Sequence, residues 1–544
     1  MSATKMNGAE SLVRTLIDGG IEVCFTNPGT SEMHFCAALD RVPGLRCVLG
    51  LFEGVVTGAA DGYGRMRDFP SATLLHTGPG LGNGLANLHN ARKARSPVVN
   101  IVGEHATYHI RHDAPLTSDI EGIAAPVSDW VKTSRNAEDV SRDGAQAIAE
   151  ARKTPGRIAT LILPADTAWN EASSGATVPS VPNPETVNSN ALDECVRVLR
   201  SGEPVMLLLG NKGLRAGALE WAGRIAKHSG AVLHSESSAA RTERGAGRIG
   251  VTRIPYVVDQ ALEVTRPFKH LILAGAKAPV AFFAYPGKPS LLMPEKCRIH
   301  KLVGPEHDIE DGLRLLAEAV GAKNIEPERQ ELRRPEPISG ALTRDAIGAS
   351  IGNLLPENAV VCDESITAGR NFHTFTSGCP PHDWLYGTGG AIGRVLPEAT
   401  GAAVACPDRK VLCLSGDGSA MYTLQSLWTQ VREKLDVTTV IFANRSYAIL
   451  HGELLNVGAV PGLNTRAMFD LENPSLTSRG LPLRFRTGLK LPGMPRTFPG
   501  MVHMRLRKQG RLREELQPSS FLLILPGMRH LLEQPFRRFQ IRRH

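Results

Sequence analysis

No C-x-x-C pair occurs among the nine cysteines of this 544-residue chain. An odd count without that spacing argues against a disulfide framework or a zinc ribbon and fits a reducing cytoplasm. Also missing is any run near the roughly 20 unbroken apolar residues of a membrane-spanning helix, so no membrane partner is expected. The opening MSATKMNGAE has no apolar core of the signal-peptide kind. Wholesale disorder is excluded by a globular balance of 42% hydrophobic and 21% charged residues. The net charge of +8 would suggest nucleic acid, but its distribution removes that reading. Residues 479–544 hold 15 Lys+Arg against 3 Asp+Glu, while the first 478 residues hold 47 against 51. The body is mildly acidic; the excess lies in the tail.

Short apolar runs alternate with helix-patterned stretches through most of the chain. ATLLH (72–76), SPVVNIVG (96–103) and ATLILP (159–164) predict buried parallel strands with helices between them. VMLLLG (205–210), AVLHS (231–235) and HLILAG (270–275) repeat the rhythm. AVVCDES (359–365), KVLCLSGDG (410–418) and TTVIFAN (438–444) repeat it again. Polar, proline-rich joints at 170–190 and 322–340 separate the blocks. The expected fold is α/β, with three Rossmann-like parallel-sheet domains at 1–170, 189–321 and 340–477, then an atypical basic tail at 478–544. Within that tail only FLLILP (521–526) reads as a strand.

Chemistry concentrates in two places. In SGDGSAMYTLQSLWTQVREKLDVTTVIFANRSY (415–447) a buried strand ends in Gly416-Asp417-Gly418-Ser419, and the next strand ends at Asn444. Both ends fall on one edge of a parallel sheet, where ligands of such folds bind. Asp417 and Asn444 can converge there as hard oxygen ligands for Mg²⁺ or Ca²⁺. The glycines allow close approach of a diphosphate, and the following helix start offers free N–H groups. The second place is LGLFEGVVTGAADGYGRM (49–66), where Glu53 precedes a helix of glycine and alanine that can pack very closely. Read alone, Glu53 is a partly exposed helix-start residue; beside the GDG motif it is a candidate catalytic acid.

With these motifs, residues 6 to 477 resemble the decarboxylase and acetolactate synthase family of thiamine diphosphate enzymes. VCFTNPGTSE (23–32) looks like the family's opening strand and loop, and GTGGAIGRVLPEATGAAVA (387–405) like its cofactor-cradling turn and helix. The resemblance implies that Glu53 exchanges a proton with the cofactor pyrimidine. It implies that the Gly390 carbonyl accepts from the 4′-amino group and that Ile392 is the apolar wedge bending the cofactor. Gly416, Gly418 and Ser419 would border the diphosphate. Asp417, Asn444 and the Ser446 carbonyl would bind Mg²⁺. Thr30 and His76 stand where benzoylformate decarboxylases place a serine and a histidine near the substrate.

The implied activity is Mg²⁺- and thiamine diphosphate-dependent decarboxylation or carboligation of a 2-oxo acid, as in acetolactate synthase, which condenses pyruvate with CO₂ release. The alternatives are a benzoylformate-type non-oxidative decarboxylase, and a cofactor-binding protein made inactive by an aberrant C-terminus. His76, and Gly54 in place of the glutamine that follows the glutamate in acetolactate synthases, depart from the synthase pattern. FAD, held by some relatives, is left open. A homodimer or homotetramer sharing its active sites between chains is implied, in the cytoplasm. GPGLGNG (78–84) mimics a dinucleotide fingerprint but reads as a loop of close backbone packing. His105, His109 and His112 read as a solvated loop, not a metal site. For 479–544 there are two hypotheses: a frameshifted product of a GC-rich gene, or a basic arm for a polyanion.

Overall fold

The structure, a computed structural model, describes residues 6–472 and two short strands at 502–504 and 521–526. Two compact units make up the chain. The first takes the chain up to Pro184 together with Gly387–Asp408 and Thr423–Val437; the second takes Glu185–Tyr386, Arg409–Tyr422 and the chain from Thr438.

In the first unit, β1 (Met6–Asn7) precedes α1 (Gly8–Asp18), whose start is fixed by a capping box between Asn7 and Glu10. There follow β2 (Val23–Asn27), α2 (Met33–Arg41), β3 (Arg46–Leu49), α3 (Glu53–Arg67), β4 (Ser71–Leu75) and α4 (Thr77–Ala94). β5 (Val98–Glu104), β6 (Trp130–Thr133) and β7 (Ile158–Pro164) complete a six-stranded parallel sheet in the order β3-β2-β4-β5-β7-β6. β8 (Glu171–Ala172) pairs antiparallel with β1.

Helix α3 is buried from Glu53 to Met66, so it behaves as a core helix with no solvent face. Its small residues make that possible. A Cβ on Gly62 would lie 2.0 Å from the Glu398 carbonyl oxygen, and one on Gly401 would lie 1.8 Å from that of Ala59. Backbone therefore meets backbone between α3 and the helix Val395–Ala405. Four charges are enclosed at this seam. Arg65 makes a two-pronged pair with Asp61 at 2.7–2.8 Å and lies 3.6 Å from Glu398, which also pairs with Arg394.

The second unit begins with β9 (Val205–Leu209), β10 (Val232–Ser235), β11 (Thr242–Arg244), β12 (Thr252–Arg253), β13 (His270–Ala274) and β14 (Arg298–Val303). Five of these form a parallel sheet, β12-β10-β9-β13-β14. β15 (Val360–Glu364), β16 (His382–Leu385), β17 (Val411–Gly416), β18 (Val437–Ala443), β19 (Val502–Met504) and β20 (Phe521–Pro526) form another sheet, in the order β11-β16-β15-β17-β18-β20-β19. β11 enters it antiparallel to β16, although its sequence lies in the central block. FLLILP is the strand expected, parallel to β18. The two hypotheses for 479–544, frameshift or basic arm, concern residues that otherwise lie outside the described ones.

All nine cysteines are free. No helix among the described residues is long and apolar enough to cross a membrane.

Candidate active site

Three neighbouring strands of the first sheet, β3, β2 and β4, end on the same edge and hand over to α3, to the turn at Thr30–Glu32 and to α4. This is the edge at which parallel α/β sheets gather ligands. Glu53 opens α3 and is 8% exposed. The Asn83 side-chain amide donates to its Oε2 at 2.9 Å. A Cβ on Gly80 would come within 2.9 Å of its Oε1, so only glycine leaves that oxygen clear. Asn87 donates to the Gly54 carbonyl at 2.8 Å, and the Thr57 hydroxyl reaches the Gly84 carbonyl at 3.0 Å. GPGLGNG is thus not a loop but the opening turns of α4. The close backbone packing expected of it is present, because glycines on α4 let α3 come near.

His76 caps α4 and is paired, through Nδ1, with a carboxylate that sequence reading passed over. Glu32 Oε2 lies 3.0 Å from Nδ1, and the Glu32 side chain is fully buried. Glu32 also accepts from the Gly29 N–H at 2.6 Å and from the Ser31 hydroxyl. Accepting oxygens at Nδ1 place the ring proton there and leave Nε2 with the opposite role. Thr30 is exposed on the same turn, while Ser31 is the residue whose hydroxyl stands 3.2 Å from His76 Nδ1. The sequence signal for Glu32 was its place in NPGTSE, two residues after Thr30.

The turn carrying Gly390 and Ile392 precedes the helix Val395–Ala405. Gly390 has φ +81°, a conformation that favours glycine, and Ile392 is half-buried. Asn90 of α4 clamps this turn with both ends of its side chain, accepting from the Ala391 N–H at 3.2 Å and donating to the Ala391 carbonyl at 3.0 Å. Asn90 also donates to Asn87 at 3.1 Å. One face of α4 therefore serves the start of α3 and this turn together.

In the second unit, β17 ends at Gly416 and a short helical turn, Asp417–Ala420, contains Gly418 and Ser419. Asp417 is 5% exposed. Its Oδ1 accepts from the Gly418 N–H at 3.0 Å and its Oδ2 from the Arg445 N–H at 2.8 Å. Arg445, at φ +55°, is held between Asn444 and Ser446, and Asn444 Oδ1 accepts from the Ser446 N–H at 3.1 Å. The three residues assigned to a cation are thus gathered around one turn. Burial pushes the Asp417 carboxyl up from its usual range, while the backbone N–H groups oppose it. No cationic side chain lies within ion-pair distance of Asp417 among the described residues. A buried carboxylate beside an amide oxygen is a donor set that suits a small hard cation.

The His105, His109 and His112 rings follow one another at 5.6–5.7 Å between centroids, tilted by 51–55°, with no metal-holding cluster of His, Cys, Asp or Glu among the described residues.

Residues 6–123 match the thiamine pyrophosphate enzyme N-terminal TPP binding domain, and residues 368–475 match the C-terminal TPP binding domain. The chain belongs to the family of thiamine pyrophosphate-dependent enzymes, and it is of the acetolactate synthase and benzoylformate decarboxylase type. A Mycobacterium tuberculosis protein provisionally named acetolactate synthase large subunit IlvX is 50% identical over 473 residues, 87% of this chain and 91% of that protein. Benzoylformate decarboxylase of Pseudomonas aeruginosa is 29% identical over 476 residues, 82% of this chain and 88% of that enzyme. The structure is similar in fold to the 4-hydroxybenzoylformate decarboxylase of Rhodococcus jostii RHA1, with a TM-score of 0.74 at 24% identity, covering 86% of this chain and 90% of that one.

Proposed function

We propose that the protein is a cytoplasmic, Mg²⁺- and thiamine diphosphate-dependent 2-oxo acid decarboxylase or carboligase. It works as a homo-oligomer whose sites are shared between chains. The observation that carries this reading is the buried Asp417 carboxylate gripping the Asn444–Ser446 turn. Asp417, Asn444 and the Ser446 carbonyl hold the cation, and Gly416, Gly418 and Ser419 border the diphosphate. The bound cofactor supplies an electron sink for the bond to the departing CO₂. Glu53 carries a proton to and from the cofactor pyrimidine, with Asn83 orienting Oε2 and Gly80 leaving Oε1 free. The turn at Gly390 and Ile392, fixed by Asn90, offers a carbonyl and an apolar wedge.

The condensation of pyruvate expected of an acetolactate synthase is one outcome; the His76–Glu32 pair favours the second, release of an aldehyde. A histidine with its Nδ1–H held by a buried carboxylate has the Nε2 lone pair free to take up a proton and then pass it to substrate. Incubation with pyruvate and with benzoylformate, following CO₂, acetolactate and aldehyde, separates the two. Glu53→Gln keeps shape but cannot cycle the proton, so turnover should drop about 10²-fold or more with cofactor binding intact. Wild-type turnover in that variant would remove Glu53 from the mechanism. Cofactor binding without CO₂ release by the unaltered protein would favour the inactive-protein reading.

A further inference from the structure

A cavity of about 570 Å³ lies wholly in the second unit, outside every residue assigned above. Its wall includes three arginines, Arg244, Arg253 and Arg370, and neither aspartate nor glutamate. The remaining polar groups are hydroxyls, amides and the His373 ring.

The arginines are not equivalent. Arg244 is buried and committed to the fold, donating to the Thr376 hydroxyl at 3.0 Å and to the His373 carbonyl at 2.5 Å. Arg253 is half-buried and lies 4.4 Å over the Tyr386 ring. Arg370 is exposed at the cavity. Neither Arg253 nor Arg370 has a carboxylate within ion-pair distance among the described residues. Glu453, whose charge also acts on Arg370 from beyond ion-pair distance, is engaged at both oxygens by the Tyr256 and Tyr285 hydroxyls, at 3.1 and 2.6 Å. His373 adds no charge, because burial and the neighbouring Arg244 hold its pKa well below the usual value.

Two guanidinium groups with no carboxylate at ion-pair distance, in one concave, hydroxyl-lined space, make a site for oxyanions, since the fork of N–H donors matches phosphate or carboxylate. The location separates it from the cleft where sheets of this kind hold dinucleotides. That cleft opens at the strand-order reversal, here between β9 and β13, whereas the cavity is walled by β12 at the sheet's edge, β11 and the segment around Arg370. We propose that this cavity binds a small organic polyanion, bearing phosphate or carboxylate groups, through Arg253 and Arg370.

The test is calorimetric titration of the full chain, saturated with thiamine diphosphate and Mg²⁺, with pyrophosphate and in parallel with citrate, each probe pre-equilibrated with the same free Mg²⁺ and its protein-free heat subtracted. Saturation with the cofactor keeps the diphosphate turn from being mistaken for the cavity. The expected result is binding that weakens about tenfold or more in Arg253→Gln and in Arg370→Gln, and returns in part in Arg370→Lys. Binding should also fall with added salt. Pyrophosphate binding alone marks a phosphate ester as the ligand, citrate binding alone a polycarboxylate, and binding of both a site for either oxyanion. No binding of either probe, or binding unchanged in an Arg253→Gln/Arg370→Gln double variant with wild-type thermal midpoint, overturns the proposal.

Discussion

Arg65→Met tests the enclosed charges of the first unit. Methionine replaces most of the stem of Arg65 but removes the guanidinium. The side chains that feel the loss include Asp61, 2% exposed, Glu398, fully buried, and Thr388, whose hydroxyl lies 3.2 Å from Arg65. Asp61 would keep the Ser96 hydroxyl at 2.5 Å, and Glu398 would keep Arg394. Two arginines facing two carboxylates become one facing two, with an uncompensated negative charge among buried side chains. Breaking such a buried pair from one side costs about 3–5 kcal/mol. A chain of several sheets does not unfold in one step, so the readout must be local. Hydrogen exchange of peptides spanning α3 should accelerate by about two to three and a half orders of magnitude if that energy falls on the local opening. The double variant Asp61→Leu/Arg65→Met removes both charges of the pair and should recover at least half of the loss. Less than tenfold acceleration in Arg65→Met, or a double variant as damaged as the single one, would refute the reasoning.

Asp417→Ala removes the only charged residue proposed for the cation, and thiamine diphosphate affinity should collapse without recovering in modest extra Mg²⁺; unchanged affinity by calorimetry would place the cation elsewhere. Glu32→Gln keeps the size of the residue but lets an amide face His76, so turnover should fall about 10²-fold with a shifted pH profile; an unaltered profile would leave Glu32 a purely structural role. His382, buried and beside Arg244, has its pKa depressed from the usual 6.5 to about 3. The unfolded chain therefore binds a proton in that window that the folded chain refuses, so His382's contribution is complete above pH 6.5 and is lost on acidification. The thermal midpoint of the second unit should fall as the pH drops from 6.5 toward about 3, and less steeply in His382→Asn; equal slopes would exclude His382 as the cause.

Much of the frame was legible in the chain itself. Buried parallel strands are short continuous apolar runs, and nine such runs, together with FLLILP, coincide with strands observed here. The GDG-to-Asn motif was legible because both ends are strand termini, and chain order puts strand termini of a parallel sheet on one edge. Glu53 could be read for a related reason, at the start of a helix too rich in glycine and alanine to be anything but closely packed. What only the tertiary structure decided were contacts with no local period. Glu32 and His76 are 44 residues apart and meet because β2 and β4 are neighbours in the sheet. Asn90 reaches a turn 301 residues further on. GPGLGNG looks like a loop by composition, yet it is helix, because packing against α3 outweighs the conformational cost of its glycines. β11 joins a sheet outside its own block because an open strand edge takes the partner that space supplies. A sequence states local preference; which distant groups come to share a buried charge or a hydrogen bond is decided only when the sheets are assembled.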